Sequence, residues 1–238
     1  MQKYVPSCKE EQDFLESYDP KAFDSVAVTV DAVIFGTARK PSANYRKSDE
    51  LSLKILLVRR KEYPYKDSLA LPGGFVLLNE TLEDSLNRTI KNKTGLKDVY
   101  SEQLMTFGEV NRDPRMRVIS CAYMSLLDSE KANVVDAEWF DIDSLNNLDI
   151  AFDHKEIINL ALAKLREEIN YSDIVFHMMT DEFTIGDLQK VYELILGQPL
   201  LAAAFRRTIA DKIEDTGKMS GNLGHRPSRV FRYKGNHN

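Results

Sequence analysis

The chain has 238 residues, of which 43% are apolar and 29% charged, with a formal net charge of −5. That balance suits a globular protein of one or two domains, and it excludes a disordered or fibrous chain. No apolar run approaches the roughly 18 residues of a membrane span, so no membrane partner is expected. The acidic stretch Met1 to Asp19 lacks the apolar segment of a signal peptide. Two cysteines, Cys8 and Cys121, are too few for a disulfide framework, and Cys121 reads as a small buried residue. The expected location is cytoplasmic. The charge is uneven: from Leu201 onward eight Lys/Arg face three Asp/Glu, which leaves −10 on the rest. On charge alone the basic segment reads either as an ordinary solvated tail or as a surface for a polyanion partner.

Residues 1–24 form an N-terminal extension. The valine-rich run Ser25 to Phe35 predicts a buried strand, and the polar stretch Gly36 to Glu50, with Lys40-Pro41-Ser42 inside it, a loop. Leu53 to Val58 predicts the returning strand, ending in Arg59-Arg60-Lys61. Leu71-Pro72-Gly73-Gly74 is a turn signal. Leu82, Leu86 and Ile90, spaced by four, predict a helix to Lys93 with Gly95 as its C-cap. Tyr100 to Val110 and Arg117 to Leu127 predict strands around a polar knuckle, Asn111 to Arg115. Ala137 to Phe140 predicts a short strand. His154 to Glu168 predicts a helix with Ile157, Leu160, Ala161 and Leu165 on one stripe.

A domain junction is expected at Tyr171 to Asp181. Thr184 and Asp187 then form a capping-box pattern, and Phe183 and Leu188 are spaced as a hydrophobic staple. That helix ends at Gly197. A second runs from near Pro199 to about Lys212, with Phe205, Ile209 and Ile213 facing a core. A glycine-rich turn region, Thr216 to Pro227, and a short strand, Arg229 to Tyr233, close the chain.

Five residues separate Gly74 from Glu80, seven separate Glu80 from Arg88, and Gly95-Leu96 follows. With Pro72-Gly73-Gly74 in front, this spacing resembles the Nudix box. The resemblance implies an α/β/α sandwich with a mixed sheet over 25–170. In active members three glutamates follow the arginine at helical offsets that share one face and hold Mg2+ against a diphosphate. Those positions here are Thr89, Asn92 and Lys93. At about 4 Å and an effective dielectric of about 20, two unit charges interact by roughly 4 kcal/mol, and between a lysine and a metal ion the sign is repulsive. No catalytic residue and no required cofactor are therefore expected. Glu80 remains, and its neighbours Glu83 and Asp84 are also acidic, which leaves a displaced metal site for the alternative, a rearranged Nudix hydrolase using Mg2+.

Arg112-Asp113-Pro114-Arg115 and the strand after it resemble the ADP-ribose-type branch of the family. Arginine forks suit phosphates. Arg59, Arg60, Phe107, Arg112, Asp113 and Arg115 are the candidate ligand contacts, with Tyr123 a further aromatic. For Phe107 and Tyr123 core packing competes with base stacking, and Asp113 with Arg115 also reads as a turn-stabilising pair.

The helix, tight turn and basic second helix over 171–238 fit a winged helix-turn-helix. Arg206 and Arg207 lie off the apolar stripe, where a recognition helix needs donors. Lys218, His225, Arg226 and Arg229 supply a basic wing. Asp187-Leu188-Gln189, Val191-Tyr192-Glu193, Phe205-Arg206-Arg207 and Gly224-His225-Arg226-Pro227 resemble the NrtR-type Nudix-related transcriptional regulators, as does Tyr18-Asp19-Pro20. The resemblance implies a homodimer on palindromic double-stranded operator DNA. It also implies control of NAD genes, with ADP-ribose or a relative as effector; a sister group senses sugars such as arabinose. The second helix departs from the pattern at its start, where Leu201-Ala202-Ala203-Ala204 stands in place of a polar N-cap. An interaction scaffold without nucleic acid is the third alternative.

Overall fold

The computed structural model describes residues 4–40, 50–129, 132–221 and 227–235. Helix α1 (Lys9–Ser17) buries none of its side chains. A mixed sheet follows, built from β1 (Ala27–Lys40), β2 (Glu50–Arg59), β3 (Leu69–Ala70), β4 (Gly73–Phe75), β5 (Tyr100–Phe107), β6 (Val118–Leu126) and β7 (Ala137–Asp141). Its main path runs β3-β2-β1-β6-β5, while β4 pairs with β1 and β7 with β2. Among the described strand pairs, β1 with β6 is the parallel one.

β1 sits at the centre and is buried on both faces, which explains its near-continuous apolar run. Val30, Ala32 and Ile34 point to α2 (Leu82–Thr94), where they meet Leu86 and Ile90. Val33 and Phe35 point the other way, to Ile157, Ala161 and Leu165 of α3 (His154–Glu168). The two helices thus sandwich the sheet. Leu160 is exposed and does not share the α3 stripe. The expected loop at Gly36 to Glu50 is also shorter, because β1 and β2 stay in register from Gly36–Lys54 to Lys40–Glu50. Main-chain pairing there needs no apolar side chains, so the polar composition concealed it. Pro41 and Ser42 lie outside the described residues.

Thr81 and Asp84 form a reciprocal capping box at the start of α2, and Gly95 ends it in the left-handed conformation at φ 77°. A side chain at Gly95 would be strained there.

The expected junction at 171–181 is buried in its middle and exposed at Tyr171 and Asp181. Ile174–Met178 form a 3-10 turn that buries Ile174, Val175, Phe176 and Met178. Phe176 is 1% exposed, stacks on Tyr233 at 4.1 Å and touches Phe183. Beyond it come β8 (Phe183–Thr184), α4 (Ile185–Leu196), α5 (Ala202–Ile209), β9 (Ile213–Met219) and β10 (Arg229–Tyr233), with the strands ordered β8-β10-β9. The Thr184–Asp187 capping box and the Gly197 C-cap are both formed, and Phe183 and Leu188 are buried. α5 is shorter than its periodicity suggests, since Ile213 opens β9 opposite Tyr233 instead of extending the helix. β9 runs to Met219, into the stretch that reads as a glycine-rich turn; Gly217 meets the bend at φ 73°.

One buried cluster holds Phe35 and Ile55 of the sheet, Ile157 and Leu165 of α3, Phe176, and Leu188, Phe205 and Ile209 of the C-terminal module. No helix among the described residues is long and apolar enough to cross a membrane. Removing the ring in Phe176→Ala should cost about 3–5 kcal/mol. Because the core is continuous, Trp139 fluorescence on β7 and far-UV circular dichroism should report one shared melting midpoint, lowered together in the variant. Two separate midpoints in the parent protein would contradict a shared core.

Candidate functional site

A cavity of about 480 Å³ opens where the ends of β1 and β2, the Gly73-Gly74 turn, the face of α2 and the knuckle after β5 meet. Six cations line it: Arg59, Arg60, Lys61, Lys93, Arg112 and Arg115. Four acids, Asp31, Glu62, Asp113 and Asp136, accompany them. A wider groove of about 1060 Å³ lies between α2, β5 and residues 174–178. It sets Lys91 and Lys97 against Asp98, Asp128 and Asp181, and so lacks that positive excess.

The floor is a buried polar knot. Arg112 is 5% exposed and donates a fork to Asp153 at 2.8 and 2.7 Å, with Asp31 at 3.8 Å. Ser120 donates to Asp31. His154 Nδ1 accepts from the Leu71 N–H at 3.0 Å, and its Nε2 lies 3.7 Å from Asp31. Gly73 must be glycine, because a Cβ there would sit 2.1 Å from the Asp31 carboxylate. Arg112 thus lines the cavity, but its fork is taken by protein.

The walls carry the remaining candidates. Arg115 grips Asp113 through its backbone N–H, Nε and Nη2, at 3.0, 3.0 and 2.7 Å. That grip holds the Asp113 carboxyl below its ordinary range. The turn-stabilising pair read from the sequence is formed, and it faces the cavity. Arg115 also lies over Phe75 and Phe152, at 5.7 and 6.0 Å, and Arg60 over Phe152 at 4.6 Å. Burial, and then the Arg115 charge, press the Arg60 pKa downward, against the opposing pull of Asp113 and Glu62. Arg59 donates to the Asp67 carbonyl.

Of the two roles read for Phe107, the structure gives core packing and not a ligand contact. It is buried in the core cluster on the α3 side and does not line the cavity. Tyr123 is buried in the α2 layer, where burial raises its hydroxyl pKa. The aromatics at the cavity are Phe75 and Phe152, which sequence reasoning missed together with Asp31, Asp153 and His154. Phe152 holds φ 56°, an uncommon conformation for a bulky residue, and meets Tyr65 edge-on at 4.8 Å.

At the far end of the chain, α5 buries Phe205 and Ile209 and exposes Arg206 and Arg207. No side chain caps its N-terminus at Leu201. Lys218 pairs with Glu182 at 2.5 Å and Arg229 with Asp215 at 2.7 Å, so both wing cations are partly neutralised. His225 and Arg226 lie outside the described residues.

Comparison with known proteins fits both halves. The family model described as the NUDIX domain matches residues 43–161, and that of the NrtR DNA-binding winged helix domain matches 175–233. The chain is 33% identical over 232 residues to the ADPR responsive transcriptional repressor NtrR of Acinetobacter baylyi, covering 94% of this chain and 88% of that one. The chain belongs to the NrtR branch of the Nudix family.

The solved NrtR of Shewanella oneidensis complexed with a 27mer DNA has a TM-score of 0.74 at 31% identity, covering 87% of this chain and 93% of that one. The NUDIX domain of the same protein, complexed with ADP ribose, gives 0.54 at 34%, covering 65% and 98%. The ADP-ribose pyrophosphatase of Methanocaldococcus jannaschii is 43% identical over 109 residues, which span 44% of this chain and 63% of that enzyme.

The Nudix fold implies a divalent metal on α2, and the residues present do not fit one. Thr89 is buried with its Oγ1 packed under Gly74, 2.8 Å from where a Cβ would stand. Asn92 and Lys93 line the cavity and bring no carboxylate. Glu80 is held by Arg88 at 2.8 and 2.6 Å and by the Leu77 N–H, and this grip lowers its pKa to about 2. Asp84 is occupied as a helix cap, which leaves Glu83 alone. Among the described residues no group of three His, Cys, Asp or Glu could hold a metal ion.

Burial lowers the pKa of His154, against the opposing pull of Asp31. The unfolded chain therefore binds a proton near its ordinary pKa of about 6.5 that the folded chain refuses. This contribution to stability is complete above about pH 6.5 and is lost as the pH falls below it. Chemical denaturation between about pH 6.5 and 5 should show falling stability in the parent. In His154→Gln, whose amide oxygen can still accept from Leu71, the slope should flatten. An unchanged slope would show that His154 is not the group titrating.

Proposed function

We propose that this protein is a transcriptional regulator. It binds operator DNA through its winged helix as a homodimer and responds when ADP-ribose, or a related nucleoside diphosphate, occupies the 480 Å³ cavity. The observation that carries this reading is one chain with two features: a cation-rich Nudix cavity whose metal positions are Thr89, Asn92 and Lys93, and an exposed Arg206-Arg207 pair on α5. The relative from Acinetobacter baylyi, similar over nearly the whole length, supports it. The excess of cations favours a phosphate ligand over a neutral sugar.

Phe152 and Phe75, with Arg60 and Arg115 beside them, offer a slot for a base, and the cations offer counter-charge for a diphosphate. Arg206 and Arg207 reach phosphates or base edges while Phe205 and Ile209 seat the helix. α3 joins the two sites. Asp153 and His154 at its start belong to the cavity floor, and Arg166 near its end donates to the Ile195 carbonyl of α4 at 2.9 Å. A ligand that shifts the floor thereby bears on the helix-turn-helix.

The second reading, hydrolysis, is favoured by the likeness to the Methanocaldococcus jannaschii pyrophosphatase. Product release from ADP-ribose with Mg2+ or Mn2+ separates the two; no turnover is expected, and turnover abolished by Glu80→Gln would establish the enzyme.

In mobility shifts at low salt with the DNA upstream of its own operon, ADP-ribose should release the bound protein. Arg207→Ala should weaken binding about tenfold and reduce the salt slope by about one. Binding unchanged by this substitution would point to an interaction module instead. Phe152→Ala should weaken ADP-ribose by about tenfold, since stacking contributes about 1–3 kcal/mol per base, while leaving operator affinity without ligand unaltered. Equal ADP-ribose affinity in the two proteins would exclude Phe152 as the base platform.

A further inference from the structure

We propose that Lys93 supplies, as an ammonium carried by the chain itself, the counter-charge that a divalent metal gives in the catalytic members of the fold, so that this cavity binds a nucleoside diphosphate without metal. The inference rests on the phosphate-ligand reading above and goes beyond it by naming the residue and the metal independence.

The argument starts from helical spacing. Thr89, Asn92 and Lys93 share one face of α2. Thr89 is spent on packing beneath Gly74, while Asn92 and Lys93 reach the cavity beside Gly73 and Gly74. This is the face on which a diphosphate would be neutralised. The other cavity cations already have protein acceptors. Arg59 donates to the Asp67 carbonyl, Arg60 to Pro64, Arg112 to Asp153 and Arg115 to Asp113, and Lys61 lies 3.8 Å from Asp136. Among the described residues Lys93 is the cavity cation with no acceptor or acid partner.

Its chemistry suits the task. A lysine ammonium has three donors on a flexible stem and can meet oxygens of both phosphates. The adjacent Asn92 amide can donate without adding charge. The same ammonium repels a divalent ion, so Lys93 both replaces the metal and keeps it out. The plain competing role is structural: a cation in the last turn of a helix is stabilised by the helix dipole. That role predicts a small loss of thermal stability on substitution and no change in ligand affinity.

The test is calorimetric titration of the full-length protein with ADP-ribose, in EDTA and in millimolar Mg2+, for the parent, Lys93→Gln and Lys93→Arg. Lys93 is exposed, so the variants should fold, and their melting curves check this. The parent should bind equally in both buffers. Lys93→Gln should lose about tenfold or more in affinity, the scale of a charge-assisted hydrogen bond, and Lys93→Arg should retain most of it. Binding that requires Mg2+, or Lys93→Gln binding as tightly as the parent, would overturn the proposal and leave the regulator reading standing. No ADP-ribose binding by the parent in either buffer would overturn the proposal together with ADP-ribose as the effector.

Discussion

The fork from Arg112 to Asp153 is the interaction on which the rest of the structure turns. It joins the knuckle after β5 to the first residues of α3, and it does so in the protein interior. A buried charge is costly unless paired and hydrogen-bonded. Here the pairing is shared: Asp31, Ser120 and His154 complete a knot in which two carboxylates surround one guanidinium and a neutral imidazole. Removing one member strands another, on a scale of about 3–5 kcal/mol for a broken buried pair. The knot therefore fixes where α3 begins, where β1 meets the Gly73 turn, and how the cavity floor lies.

Much of the fold was legible because its signals are local or periodic. The capping box at Thr184 and the glycines ending α2 and α4 satisfy backbone groups near them in sequence. β1 was legible because burial on both faces leaves a run of valines. The errors share a cause. Gly36 to Lys40 pair through their main chain, which polarity does not report. Ile213 keeps an apolar period that a helix and a buried strand residue both satisfy, and only pairing with Tyr233 decides between them.

The site divided along the same line. Thr89, Asn92 and Lys93 were readable since box spacing is a helix property, and the Arg112–Arg115 knuckle was found by its composition. Phe107 and Phe152 were not separable. Each is an aromatic beside a strand or helix end. One turns into the core, and the other is held outward by a left-handed backbone that no local signal announces. Arg112 was found for a chemistry it does not have free, because its acceptor Asp153 lies 41 residues away in sequence.

The continuous core limits how an occupied cavity can act on α5. With Phe176 packed between the halves and no exposed linker across 174–178, the C-terminal module cannot swing independently. A close-packed interior responds by switching between discrete arrangements. Under the regulator reading proposed above, the change is a small shift of α3 against α4, transmitted where Arg166 holds the Ile195 carbonyl just before the Gly197 turn. The demand is modest. A tenfold change in operator affinity needs only about 1.4 kcal/mol of coupling, and the same factor must reappear in ligand affinity when DNA is bound. A ligand that disturbs one charge-assisted bond in the Arg112–Asp153 knot, worth roughly 1.5–3 kcal/mol, has enough to bias that shift.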